Sequence, residues 1–147
     1  MQIRLAETAG FCFGVERAVA LAEQTARDCK NAVTLGPIIH NRHVVARFEL
    51  LGLREISAAD EAQPGQTVVI RAHGIPVGEQ RTLSARGAVT VDATCPFVKK
   101  IHVIAQKAER DGRSLLIIGT PTHPEIIAIA SYSLSLIHIS EPTRRVV

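Results

Sequence analysis

Two stretches of this chain repeat one pattern of apolar and polar positions. After Cys12 comes Phe13-Gly14-Val15-Glu16-Arg17-Ala18-Val19-Ala20-Leu21-Ala22, and after Cys95 comes Pro96-Phe97-Val98-Lys99-Lys100-Ile101-His102-Val103-Ile104-Ala105. Both place apolar residues at +3, +6 and +10 from the cysteine, the spacing of an amphipathic helix. Each Cys is therefore expected at a helix start, and Pro96 supports this in the second stretch because proline suits the first helical turn. Each helix gives way to an apolar run, Ala32-Val33-Thr34-Leu35 or Ser114-Leu115-Leu116-Ile117-Ile118, which reads as a buried strand ending at Gly36 or Gly119. Elsewhere the pattern predicts a strand at 2–6, helices at 14–30, 41–51 and 76–86, a polar connection at 55–65, and strands at 67–71 and 89–91. Alternating strands and helices imply a parallel sheet with crossover connections.

The two stretches stand at a constant offset of 83 residues, which also pairs Gly36 with Gly119 and His40 with His123. That register predicts an α/β fold of repeated parallel-sheet lobes, the first complete over 1–95 and the second begun over 96–130. Both histidines fall just past the C-terminal end of a strand, the edge where open α/β sheets bind ligands. A thiol at a helix start meets unpaired N–H groups and the positive end of the helix dipole, which favour the thiolate, the form that binds metal.

Composition narrows the classes. The chain has 147 residues, 46% hydrophobic, with no Trp and one Tyr, so a core must be built of Val, Ile, Leu and Ala. A formal charge of +3 suits a small anionic ligand, but clustered Lys/Arg with stacking aromatics are missing, which argues against nucleic acid. No run of about twenty apolar residues and no signal peptide is visible, so no membrane association and a cytoplasmic setting are expected. Three cysteines spread over such a chain point to metal or catalysis rather than to a disulfide framework.

The segments Gly10-Phe11-Cys12-Phe13-Gly14-Val15, His40-Asn41, Ala72-His73-Gly74, Asp92-Ala93-Thr94-Cys95-Pro96 and His123-Pro124-Glu125 resemble the signature blocks of the 4-hydroxy-3-methylbut-2-enyl diphosphate reductase family. The resemblance runs in order from residue 1 to about residue 127. It implies three similar α/β lobes around a cavity, each giving one Cys to a 4Fe-4S cluster, with Cys12 and Cys95 as two of the ligands. It also implies that His40, His73 and His123 hold the substrate, chiefly its diphosphate, and that Glu125 feeds the proton on which water leaves. The reaction would be reductive dehydroxylation of the allylic diphosphate to isopentenyl and dimethylallyl diphosphate, with ferredoxin or flavodoxin as electron donor.

Plainer readings stand beside these. An isolated Cys is more often a small buried hydrophobe, and Cys29, late in a helix without a partner motif, is read as structural. His43, His102 and His138 receive no role, and Glu16-Arg17 and Lys99-Lys100 read as solvated helix faces, with a place near the cavity the alternative for the basic residues because they stand near a helix start. Cys12, Cys95 and the three histidines also offer donors for zinc, although short spacings such as Cys-x-x-Cys are missing. A non-catalytic α/β module whose repeat is only architectural is the other alternative. The chain departs from the family at several points: a third cysteine one step of 83 beyond Cys95 falls past Val147 and the family's later Ser/Asn and Thr contacts go with it, Ile126-Ile127-Ala128-Ile129-Ala130 replaces a glycine-containing stretch, and residues 131–147 resemble a translated sequencing-adapter read-through. A non-native tail over 131–147 is therefore expected, and sequencing the native locus past residue 130 decides it: an unaltered tail followed by a stop codon would refute the idea.

Overall fold

In the computed structural model the described residues are 3–4, 6–7 and 9–139. Helix α1 (Phe13–Asp28) leads to β1 (Val33–Leu35), then α2 (Arg42–Leu50), β2 (Arg54–Ile56), a 3-10 turn at Ala59–Glu61, β3 (Thr67–Ile70), α3 (Val77–Ala85) and β4 (Val89–Asp92). A second unit follows: α4 (Pro96–Arg110), β5 (Leu115–Ile118), α5 (Pro124–Ala130) and β6 (Leu136–Ile139). The first unit is a four-stranded parallel sheet in the order β2-β1-β3-β4, and β5 and β6 form a two-stranded parallel sheet. The mixed α/β architecture with parallel strands is the one the alternation of patterns implied.

The repeat reaches further than its cysteines and histidines. Val33 pairs with Arg54, Thr34 with Glu55 and Leu35 with Ile56 in the first sheet. Shifted by 83, the same register recurs as Leu116 with Ile137, Ile117 with His138 and Ile118 with Ile139. Residues 136–139, which the sequence reading assigned to a non-native tail, thus stand where β2 stands in the first unit, and residues 140–147 lie outside the described residues.

Some expected elements shift. Of the strand expected at 2–6, Ile3, Arg4 and Ala6 are in no strand, and residues 1, 2, 5 and 8 lie outside the described residues. Strand β2 overlaps the start of the stretch read as a polar connection, at 55–56. Its Arg54 and Glu55 are exposed because β2 is an edge strand, where charge is tolerated and protects against unwanted pairing. Helix α5 and strand β6 had not been assigned from the sequence.

Two apolar layers sandwich the first sheet. One joins Ala18, Val19 and Ala22 of α1 and Val44 and Phe48 of α2 to Val69. The other joins Val33, Leu35, Val68 and Ile70 to Ile75 and Leu83 of α3. The core is aliphatic apart from Phe48, and Cys29 packs against its edge. Leu83 is fully buried, so Leu83→Ala should cost roughly 2–5 kcal/mol through lost burial and the cavity left behind. Urea unfolding would measure this, and a loss under about 1 kcal/mol would show that this side of the sheet is loosely packed. The second unit is less covered: Leu116 and Ile118 of β5 and Ile101, Val103 and Ile104 of α4 are exposed.

Candidate functional site

The strand order sets β1, β3 and β4 side by side, so the loops that leave their C-terminal ends emerge together. Backbone hydrogen bonds lace these loops. Ala72 N–H donates to the Ile38 carbonyl at 3.3 Å, and Cys95 N–H donates to the Ala72 carbonyl at 2.9 Å. Arg71 closes the turn between them: its Nε donates to the Gly74 carbonyl at 3.2 Å. Its Nη1 lies where a side chain at Gly36 would begin, 2.8 Å from a Cβ built there. Gly36 adopts a left-handed φ of 68°, and that backbone conformation is what calls for glycine there.

Three histidines converge on this edge. His40 ends the loop after β1, His73 lies in the turn after β3, and His123 is the N-cap of α5 in the second unit. The ring of His73 stands between the other two, 5.2 Å from His40 and 5.6 Å from His123, centroid to centroid. His123 Nδ1 accepts the backbone N–H of Glu125 at 3.2 Å, so in the neutral ring the proton sits on Nε2, which is left as a donor. His73 is half-buried, and its Nδ1 is buried with no hydrogen-bond partner among the described residues. Burial, then the neighbouring His40 and His123, and then Arg71 all push its pKa below 6.5. The cluster is therefore a set of potential donors, partly starved of charge, that an anion would satisfy and help to protonate. Glu125 lies in the first turn of α5, half-buried and two residues past His123.

The two thiols come to helix starts as expected. Cys12 is the N-cap of α1 and Cys95 the N-cap of α4, and neither side chain caps its own helix. Their carbonyls do take up the helices, accepting from Glu16 N–H and Lys99 N–H at 2.9 Å each. Gly14 brings the two helix starts into contact. A Cβ on Gly14 would lie 2.4 Å from Cys95 Sγ, so the thiol rests on backbone two residues from Cys12. Arg17, three residues further along α1, donates from Nη1 to the Thr94 carbonyl at 3.2 Å. Asp92 holds the same turn from the other side, accepting Thr94 N–H at 3.0 Å and Lys99 Nζ at 2.6 Å. Burial acts to raise the Asp92 pKa, but the hydrogen bonds from Lys99 and Thr94 prevail and hold it below the ordinary value.

The donor set suits part of an iron–sulfur centre: two soft sulfur donors, each at a helix start. Among the described residues no group of three or more His, Cys, Asp or Glu side chains is arranged to hold a metal ion. The described residues therefore offer two thiols at helix starts and no complete ligand set.

The structure brings together His40, His73 and His123 and sets Cys95 against the start of α1, whereas His43 stays exposed on α2 and His138 lies in β6 against the Gly119 carbonyl. Arg17 does more than face solvent, since it binds the turn before Cys95, and Lys99, although exposed as expected, pairs with Asp92 of the same turn. Arg71 went unnoticed, although its place directly before Ala72-His73-Gly74 was the signal that could have raised it. His102, dismissed from the sequence, is buried.

A parallel α/β sheet with a histidine cluster beyond its strand ends and thiols at two adjoining helix starts defines an α/β protein whose candidate site sets imidazole donors beside soft sulfur groups. The chain belongs to the LytB protein family, whose sequence pattern matches residues 3–146. A relative from Aquifex aeolicus named 4-hydroxy-3-methylbut-2-enyl diphosphate reductase is 44% identical over 133 residues, covering 90% of this chain and 46% of its own length. A relative of the same name from Solidesulfovibrio magneticus is 43% identical over 145 residues, covering 95% of this chain and 51% of its own length.

Among solved structures, one described as (E)-4-hydroxy-3-methyl-but-2-enyl diphosphate reductase, the terminal enzyme of the non-mevalonate pathway, superposes with a TM-score of 0.79 at 41% identity. It covers 97% of this chain and 51% of that one. The E-1-hydroxy-2-methyl-but-2-enyl-4-diphosphate reductase from Plasmodium falciparum gives a TM-score of 0.84 at 26% identity, over 90% of this chain and 42% of that one. The chain thus spans about half the length of the curated relatives it matches.

Proposed function

We propose that the chain carries part of the active site of a 4-hydroxy-3-methylbut-2-enyl diphosphate reductase, an iron–sulfur oxidoreductase of the non-mevalonate isoprenoid pathway. The convergence of His40, His73 and His123 from three separate loops carries this reading, because three imidazoles around one point suit a diphosphate and little else in the chain would bind one. Cys12 and Cys95 would hold a 4Fe-4S cluster, which when bound supplies the electrons for removing the substrate's hydroxyl group. In the overall reaction the allylic C–O bond breaks, two electrons and two protons enter, and water leaves with isopentenyl or dimethylallyl diphosphate. His123, its proton placed on Nε2 by the Glu125 amide, and His40 and His73 orient the diphosphate. Glu125, in the first turn of α5, delivers the proton to the departing hydroxyl. Ferredoxin or flavodoxin is the donor, in the cytoplasm. Among the described residues no helix is long and apolar enough to cross a membrane.

Anaerobic reconstitution of the 147-residue chain with iron and sulfide tests the reading. Iron with acid-labile sulfide should bind weakly, Cys12→Ser or Cys95→Ser should abolish it, and the chain alone should not turn over substrate with a chemical reductant. Zinc retained without sulfide, or metal content indifferent to both serine variants, would sink the cluster assignment. Measurable turnover would refute the expected inactivity.

A further inference from the structure

The first helix of the second unit is seated on the first through two glycines. At its start, Cys95 Sγ rests on Gly14 of α1. Seven residues on, two turns along the same face, the ring of His102 rests on Gly74. A Cβ at Gly74 would lie 2.6 Å from His102 Cε1 and 3.4 Å from Nε2, and the φ of 75° there independently calls for glycine. Val98, between the two contacts, is buried on the same side. Tyr132 stacks on the His102 ring at 4.7 Å and 28°.

His102 is only 6% exposed, and its Nε2 is buried without a hydrogen-bond partner among the described residues. The ring lines a polar cavity of about 350 Å³ together with Gln80, Asp92, Lys99 and Gln106, but with Nε2 shut away it offers that atom to no occupant. What the ring supplies is shape: a flat plate thin enough to lie on backbone. That backbone belongs to the residue after His73, and the Cys95 amide is bonded to the residue before His73.

We propose that His102 is a positioning residue: by lying on Gly74 while Cys95 lies on Gly14, it fixes the register of α4 on the first lobe and holds Cys95 and His73 in place as one unit. The inference rests on Cys95 and His73 sharing a site, as argued above. It is tested in the whole chain by two readouts that simple core filling would not move selectively. One is the rate of Cys95 alkylation relative to Cys29, followed by mass spectrometry. The other is the affinity for inorganic pyrophosphate.

In His102→Ala, Cys95 alkylation should rise and pyrophosphate affinity should fall, each by about fivefold or more, because loosening of an ångström at a site has effects of that order. Cys29 reactivity and helix content should stay unchanged. His102→Phe, which keeps a flat ring on Gly74, should remain within about twofold of the parent chain in both. A folded His102→Ala with parental Cys95 reactivity, or a phenylalanine variant as perturbed as the alanine one, would overturn the proposal. If His102→Ala does not fold, His102→Asn takes its place with the same two outcomes. Failure of the diphosphate reading shows separately, as a parent chain that binds no pyrophosphate, and the thiol readout then still decides.

Discussion

Replacing Gly14 by alanine is expected to reduce iron and sulfide uptake on reconstitution to less than about a tenth of the parent's, an effect of the size seen when the surroundings of metal ligands are disturbed. The new Cβ would stand 2.4 Å from Cys95 Sγ and 3.1 Å from Cys95 Cβ. Turning the thiol away relieves the first contact but not the second, so Cys95 must both rotate and retreat, at a cost of roughly 1–3 kcal/mol for such overpacking. Gly14 lies in the first turn of α1 with no left-handed φ, and alanine is otherwise favoured over glycine in a helix by about 1 kcal/mol. The substitution therefore isolates the contact with Cys95 from any effect on helix formation. Gly78, in α3 with open space around it, is the control, and Gly78→Ala should be neutral or mildly stabilising. Parental iron and sulfide content in Gly14→Ala would show that Cys95 can bind metal without resting on α1.

Pyrophosphate affinity should fall most for His73→Gln, more than for His40→Gln or His123→Gln, because His73 is the ring in contact with both others. Hydrogen bonds to a charged group are worth roughly 1.5–3 kcal/mol, so a loss of about ten- to a hundredfold is expected. The dependence on pH follows from the same ring. Burial, His40, His123 and Arg71 hold its pKa below 6.5, so the ligand-free ring is neutral near pH 7. A bound polyanion favours the imidazolium and raises that pKa. Binding should take up protons and tighten as pH falls toward 6, a trend that calorimetry in buffers of different ionisation enthalpy would measure. Affinity indifferent to pH, with no proton uptake, would count against the cluster as an anion site.

Without ligand, stability moves the other way. The folded pKa lies below the unfolded value, so the unfolded chain binds more protons in the window between them. Stability is full above about 6.5 and declines as pH falls through that window. His102, lowered chiefly by burial, adds a contribution of the same sign, which thermal unfolding at a series of pH values would detect.

Much of this was legible because periodicity is a local property. The amphipathic spacing after Cys12 and Cys95 placed the starts of α1 and α4 to within a residue, and the apolar runs gave β1, β3 and β5. Strand β2 was not legible, since two of its three residues are charged and exposed at a sheet edge, where the alternating pattern fades. The offset of 83 held more than was drawn from it. It predicts β6 opposite β5 in the register of β2 opposite β1, which the pattern of 136–139 alone does not show.

The sequence by itself determined most of the element types, the duplication, and the placing of His40, His73 and His123 beyond strand ends with Cys12 and Cys95 at helix starts, because each depends on neighbours along the chain. The tertiary structure decided which of them meet. The strand order β2-β1-β3-β4 brings the loops after β1 and β3 together although 31 residues, 36–66, separate their strands in the chain. Hydrogen bonds from Ala72 to Ile38 and from Cys95 to Ala72 then lock those loops and the start of α4 in one place. The contacts of Cys95 on Gly14 and of His102 on Gly74 are likewise tertiary, because a close approach of side chain to backbone leaves in the sequence only a glycine, and a glycine does not name what rests on it.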